Sequence, residues 1–324
     1  MSKKTPSQQD KFKSQPDRSI CTPPAGAPRT GQRPAGAPRE HRLKALASEW
    51  LLNLRVEGRS PRTLRWYRHH IDAYLGAGGV DDLSSLTAAE LRRYVCELQD
   101  RGLSDDSVRG AFLSLKCMCN WAAREGYRVD AGLVRVRTPR VSEKELITYS
   151  DPQQDAILAA APVGWPKLTV RILLRTGIRI SELCDMVVDD FEDGGESAFL
   201  KIQRGKGAKF RRVPVSLRLR RDVIRWINHE RPDSRHQRLL ATRDGEAVSV
   251  ETVTRMLSRL SDRVGVRVHA HRFRHTFATD YLHNGGDMER LRRILGHTGY
   301  QMVMRYLHLN KGDLAQDINE RSPY

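Results

Sequence analysis

Residues 197–216 read "SAFLKIQRGKGAKFRRVPVS". The stretch alternates apolar and polar side chains, breaks at Gly205 and Gly207, then alternates again. It predicts a strand at about 198–204, a turn carrying Lys206, and a second strand at about 210–215. Almost everything around it has helical periodicity. "LTVRILLRTGIRISELCDM" before it reads as helix, Thr-Gly break, helix, and helices are expected after it at about 216–230 and 249–264. The hairpin therefore makes the second half of the chain a mostly helical domain with a small antiparallel β-sheet.

The first half lacks such a break. From His41 to about Arg135 four helices with short connections are expected. Leu43, Leu46, Trp50, Leu51 and Leu54 share one face of the first, which ends at Gly58. Ser60 caps the second with Pro61 at its first position, Thr87 and Glu90 have capping-box spacing, and Ser104 opens the fourth with acids in its first turn. Arg59, Arg62, Arg65, Arg68 and His69 decorate the polar side of the second helix, either as a solvated face or as a phosphate-facing surface. Residues 1–40, with "PAGAPR" at 24–29 and 34–39, are too poor in apolar residues to fold alone and read as a disordered basic arm. The expected organisation is arm 1–40, helical domain 41–135, basic linker 136–145, mixed domain 146–310 and tail 311–324.

The chain has 324 residues and a formal charge of +17, which points to a polyanionic partner, nucleic acid first. No apolar run reaches membrane-span length, and the N-terminus has no secretory h-region, so no membrane role is expected. Five cysteines without framework spacing suit a reducing cytosol. Cys117 and Cys119 form a C-x-C with no partner pair at zinc spacing and read as buried thiols.

Four clusters carry chemistry. In "TGIRISEL", Arg179 follows a glycine turn in apolar surroundings; it pairs with Glu182 or binds an anion. In "RGKGAKFRR", Lys206 is a mobile turn lysine or a reaching one, and Lys201, Lys209, Arg211 and Arg212 make the hairpin a DNA-contact candidate. In "HAHRFRHTFATDYL", His271 and His275 have i, i+4 spacing, but no glutamate lies between them and the arginines repel a cation, so metal is set aside. His271 and Arg274, three apart, can instead hold two oxygens of one phosphate, with Arg272 beside them. In "LGHTGYQMVMRYLHLN", His297 precedes two tyrosines, Tyr300 and Tyr306; Tyr300 is a staple or core aromatic.

Together these clusters resemble the tyrosine recombinase (phage integrase, Xer-like) family, whose catalytic domain carries, in order, Arg in "TGxRxSEL", Lys in "GKGxKxRxVP", "HxxRHxFAT", "LGH" and a Tyr nine residues past that His. Here they read "TGIRISEL", "GKGAKFRRVP", "HRFRHTFAT", "LGH" and Tyr306, with five motifs in order over the last half of the chain. The resemblance, at pattern level only, extends to the helical N-terminal region, similar to the family's SAM-like core-binding domain. It implies a mainly α protein forming a C-shaped clamp on DNA. It implies that Tyr306 attacks a phosphodiester to give a 3′-phosphotyrosyl link, with Arg179 and Arg274 on the non-bridging oxygens. Lys206 is then the general acid, with Lys209 as the alternative, His271 an acid/base assisting Tyr306, His297 a donor to the phosphate, and Glu182 an orienting group. No metal, ATP or other cofactor is needed.

It further implies double-stranded DNA as substrate, a homotetramer on two sites, a tail docking in trans, accessory proteins in some systems, and a bacterial cytoplasmic, nucleoid-associated setting. Two features depart from a minimal Xer-type chain: the basic arm, and "VDAGLVRVRTPR" where relatives often have Asn-Pro. Both favour integration of a mobile element over dimer resolution. A catalytically idle DNA-binding protein predicts a missing catalytic residue, and none is missing. A metal-dependent nuclease predicts paired carboxylates near the histidines, and Asp280 and Asp287 have no partner. A topoisomerase-like enzyme shares the chemistry, but the separate helical domain and "LGH" favour recombination. After the resemblance, Tyr300 is left as a packing residue, and His308 is left unexplained, facing solvent or the DNA backbone.

Overall fold

The computed structural model describes residues 42–140, 146–203, 210–297 and 299–307, in two compact units. The arm, the hairpin tip with Lys206 and Lys209, His308 and the tail lie outside the described residues.

The first unit is helical: α1 (Leu43–Val56), α2 (Pro61–Gly76), α3 (Ala88–Asp100), α4 (Asp105–Arg124) and α5 (Ala131–Arg135). The expected caps form. Ser60 accepts from the Thr63 amide at 3.2 Å, Thr87 from Glu90 at 3.2 Å and Ser104 from Ser107 at 3.4 Å. The Thr87 box is only half closed, because the Glu90 carboxylate is taken by Arg93 and the Tyr74 hydroxyl. All five expected apolar residues of α1 are buried, in a core with Phe112, Leu115 and Met118. Cys119 is buried there, which pushes its thiol up to about 12 and fits an inert core residue. The short α5 is an addition to the four expected helices. Asp130 caps it through Gly132 at 3.0 Å and also accepts from the Ala88 amide at 2.7 Å, so one carboxylate ties the starts of α3 and α5 together. Leu133 then seals into the core. Arg59, Arg62, Arg65, Arg68 and His69 are all exposed.

The second unit runs α6 (Asp151–Ala160), α7 (Trp165–Thr176), α8 (Ile180–Asp185), β1 (Phe191–Asp193), β2 (Ala198–Ile202), β3 (Arg211–Val215), α9 (Leu217–Arg225), α10 (Val250–Val264), α11 (Ala270–His283), α12 (Met288–Leu295) and α13 (Gln301–Leu307). The strands form one antiparallel sheet in the order β1-β2-β3, with Leu200 opposite both Phe191 and Val213. Pro214 is tolerated because β3 is an edge strand. The third strand, β1, was not expected: "FED" is too short and too acidic to show alternation. The helix expected at 216–230 is α9 followed by a π-helical turn at Trp226–Glu230, where the Trp226 indole donates to the Leu239 carbonyl at 2.8 Å. Among the described residues no helix is long and apolar enough to cross a membrane.

Two glycines set the backbone of the site. Gly177 (φ +61°) ends α7, and a Cβ there would lie 2.5 Å from the Phe277 ring. Gly296 (φ +66°) ends α12 and lets the chain pass against the Arg211 side chain, 3.1 Å from where a Cβ would be. The left-handed conformation and the close approach both require glycine.

Candidate active site

The Gly177 turn delivers Arg179 to the N-terminus of α8, where Glu182 sits at the third helical position. The Arg179 amide donates to Glu182 Oε2 and its Nη1 to Oε1, both at 2.9 Å. Glu182 is shared: Arg211, from the start of β3, donates to the same carboxylate through Nη1 at 3.0 Å and Nη2 at 2.7 Å. Arg211 Nε reaches the Ile294 carbonyl at 2.8 Å, joining β3 to the end of α12. Burial pushes the Glu182 carboxyl up, but the hydrogen bonds and charge of Arg211 and the bonds from Arg179 outweigh it and hold it below the ordinary carboxylate value.

Arg274, on α11, is 5% exposed. Its guanidinium donates to the Gly177 carbonyl at 2.8 Å, the Leu295 carbonyl at 2.7 Å and His297 Nε2 at 2.7 Å. Burial, with the nearby Arg179 charge, lowers its pKa to about 10, so it stays charged at neutral pH. An arginine only donates, so His297 accepts at Nε2 and carries its proton on Nδ1. That buried Nδ1 has no hydrogen-bond partner among the described residues. Burial, then the charges of Arg274, Arg179 and Arg211, press the His297 pKa down to about 3, leaving a neutral ring. Three guanidiniums therefore stand near one carboxylate in a largely buried pocket, two of them bonded to it and Arg274 not. The imbalance is positive, and an anion corrects it. Arg179 is the most open of the three, its side chain 24% exposed against 10% for Arg211.

Tyr306, on α13, packs against Ala278, Leu291, Leu295 and Val303. Its hydroxyl lies 3.1 Å from His275 Nδ1. Burial raises the phenol's pKa, opposed by the charges of Arg274, Arg305 and Arg179, so the resting group is protonated. Tyr300 is not a packing residue. It is 52% exposed, donates to Glu289 Oε2 at 2.7 Å and lies under the Arg292 guanidinium, 5.4 Å from its ring centroid.

Arg179, Glu182, Arg274, His297 and Tyr306 thus come together. His271 is on α11 one turn before His275 and is exposed. Among the DNA-contact candidates, Arg211 is corrected: it turns inward to Glu182 and Ile294 because its position in β3 shares a face with Val213 and Val215. Arg272 is also engaged inside the protein. It stacks 4.2 Å over Tyr149 and donates to the Thr148 carbonyl at 2.9 Å. Arg212 is exposed and pairs with Glu192 at 2.9 Å, while Lys201 approaches the same carboxylate at 3.7 Å. Lys206 and Lys209 lie outside the described residues. Sequence reasoning missed His275 and the inward role of Arg211. Strand alternation marks Arg211; the i, i+4 spacing to His271 puts His275 on the same helix face but carries no sign of Tyr306 beside it.

Comparison with known proteins gives a consistent picture. Residues 144–313 match the family described as "Phage integrase family", and residues 47–126 match "Phage integrase, N-terminal SAM-like domain". The tyrosine recombinase XerA of Thermococcus kodakarensis is 30% identical over 278 residues, covering 83% of this chain and 94% of that protein. The tyrosine recombinase XerC of Xanthomonas campestris is 28% identical over 286 residues, covering 85% and 87%. The solved Tn1549 transposon integrase, in complex with transposon right end DNA, superposes with a TM-score of 0.71 at 17% identity, covering 86% of this chain and 99% of that one, and so shares the fold. With the family match spanning more than half of its length and both domains represented, the chain belongs to the phage integrase family of tyrosine recombinases.

Proposed function

We propose that this protein cuts and rejoins double-stranded DNA at specific sites through a 3′-phosphotyrosyl intermediate on Tyr306. The observation that carries the reading is the convergence of Arg179, Arg274 and His297 in a positively charged pocket whose charge reaches the buried Tyr306 hydroxyl.

The scissile phosphate supplies the missing anion. Arg179 and Arg274 hold its non-bridging oxygens and neutralise the charge that grows as the phosphorus becomes five-coordinate. Both are already fixed by protein bonds, so little reorganisation is needed on reaching the transition state. His297 is rigidly held by Arg274, and its unpartnered Nδ1–H is a donor in reserve for the phosphate. His271, three residues before Arg274, adds a contact from the exposed side. Lys206, or Lys209, protonates the leaving 5′-oxygen. The phosphotyrosyl bond conserves the energy of the phosphodiester, so rejoining needs no ATP, and the cationic cluster takes the role that metal ions take in many nucleases.

The working form is a homotetramer on two DNA sites, with the tail docking between protomers and accessory proteins in some settings. The exposed Arg59, Arg62 and Arg65 of the N-terminal unit and Lys201 and Arg212 of the sheet meet DNA phosphates. The site is cytoplasmic. The Xer names of the curated relatives favour Xer-like dimer resolution over integration of a mobile element, and relatives from a Thermococcus and a Xanthomonas leave the bacterial assignment of the source unsupported.

The test is a suicide-substrate assay in EDTA on a mapped recombination site. Wild type forms a covalent protein–DNA adduct, Tyr300→Phe forms it too, and Tyr306→Phe does not. An adduct on Tyr306→Phe, or none from wild type without added metal, sinks the reading.

A further inference from the structure

The hydroxyl that must lose a proton faces a histidine other than the one the family resemblance nominates. Helix α11 carries His271 and His275 one turn apart. His271 is exposed, whereas the half-buried His275 presents its ring to Tyr306, with Nδ1 3.1 Å from Oη and ring centroids 5.7 Å apart. Val303, Leu291 and Leu295 pack around the tyrosine and hold it in that place. We propose that His275 is a catalytic base, taking the Tyr306 proton during strand cleavage and returning it on rejoining. This rests on Tyr306 being the nucleophile.

The chemistry requires such a group. Even at the ordinary tyrosine value of about 10, only ~0.3% of the phenol is ionised at pH 7.5, and burial moves Tyr306 further up. As Oη bonds to phosphorus, its proton passes to the Nδ1 lone pair and the bond from phosphorus to the 5′-oxygen breaks. That oxygen takes its proton from a separate acid. In the reverse direction the 5′-hydroxyl attacks the phosphotyrosine, returning its proton to the conjugate base of that acid, and the His275 imidazolium protonates the leaving phenolate.

The surroundings keep His275 in the accepting form. The charged and titratable groups facing it are His269, His271 and Arg274 from its own helix and the turn before it, Arg305 and Tyr306 from α13, and His297. Burial, then the repulsion of His271, Arg274, Arg305 and His269, lowers its pKa to about 4, so the ring is uncharged throughout the neutral range. With its one proton on Nε2, it faces Oη with the Nδ1 lone pair that the proposal requires. A bound phosphodiester offsets those cations and makes the imidazolium easier to form at the moment it is needed. His271, in the open, is left to the DNA.

The decisive experiment uses a site whose scissile phosphate carries sulfur in place of the 5′-bridging oxygen. The thiolate leaves without an acid, so the nucleophile's proton is isolated. Single-turnover adduct formation is followed from pH 6 to 9 for wild type, His271→Ala, His275→Ala and His275→Asn, with DNA affinity measured alongside. The asparagine can hydrogen-bond to Oη but cannot take its proton. Wild type and His271→Ala are expected to be flat with pH. Both His275 variants are expected to bind DNA normally, to fall at least ~100-fold at pH 7, and to recover about 10-fold per pH unit as hydroxide ionises the phenol instead. His275 variants that cleave with a flat profile, or that bind DNA but stay inactive up to pH 9, overturn the proposal. Tyr306→Phe is run in parallel: an adduct there refutes the nucleophile itself rather than its base.

Discussion

Glu182 holds two arginines of the site at once, and its loss separates structure from catalysis. Glu182→Gln keeps the shape and removes the charge, leaving Arg179 and Arg211 partly buried without a counter-ion. Breaking such a buried pair costs about 3–5 kcal/mol, so the catalytic unit's thermal midpoint should drop by several degrees in a calorimetric scan. An unchanged midpoint contradicts the shared-carboxylate frame. The same residues set an acid limit. His297 and His275 have folded pKa values near 3 and 4, below the free value of about 6.5. Between those values the unfolded chain binds more protons than the folded one, so stability rises with pH there and is lost as pH falls from 6.5 toward 4. The Glu182 contribution is present above the free carboxylate value and disappears only below it, as pH falls through its lowered folded value. Unfolding midpoints measured from pH 7.5 to 4 should therefore fall before the Glu182 carboxylate titrates; a level profile to pH 4.5 contradicts the buried neutral histidines. At this scale the motifs named the residues that the fold brings together around Glu182, Arg274 and Tyr306. They did not show that Arg211 turns inward, because a run of two arginines in a basic chain looks like a DNA face until strand alternation is applied to it.

Helix ends decide where those residues stand. Gly177→Ala places a side chain in a left-handed backbone, costing about 1–2 kcal/mol, and drives a Cβ into Phe277 of α11. Because the same turn carries Arg179 and offers its carbonyl to Arg274, cleavage should suffer more than folding. The expected result is a loss of at least ~10-fold in single-turnover cleavage with DNA affinity within a few-fold of wild type. A proportional loss of both means that the turn only supports the fold. Elements with their own capping chemistry were legible: α2, α3 and α4 begin where Ser60, Thr87 and Ser104 place them. The elements that escaped have no such autonomy. Strand β1 is three residues long and exists only through pairing with β2, and α5 is five residues closed by Asp130, whose second bond goes to α3 forty-two positions earlier. Both depend on tertiary partners that no local window contains.

For the whole molecule, the +17 charge is the property that every DNA encounter uses. Affinity for a recombination site should fall steeply with salt, and each neutralised phosphate adds about −0.9 to the slope of log K against log salt. Replacing Arg59, Arg62 and Arg65 together by alanine should make that slope shallower by up to ~2.7 without changing sequence preference. An unchanged slope removes α2 from the DNA face. Two-domain organisation, helical content and the mixed second domain were readable from the sequence because composition and periodicity report burial directly. Which exposed basic residues meet DNA depends on how side chains are distributed in space, and so motif order alone could not separate Arg212, exposed, from Arg211, partly buried against Glu182.

Every step proposed for the site depends on Tyr306 as the covalent nucleophile. The adduct trapped on a nicked suicide substrate can be digested with nuclease and protease and its peptides sequenced by mass spectrometry. A single modified peptide is expected, with a 3′-linked nucleotide on Tyr306 and free Tyr300. A nucleotide on Tyr300 or another residue, or a 5′-phosphoryl linkage to Tyr306, contradicts it.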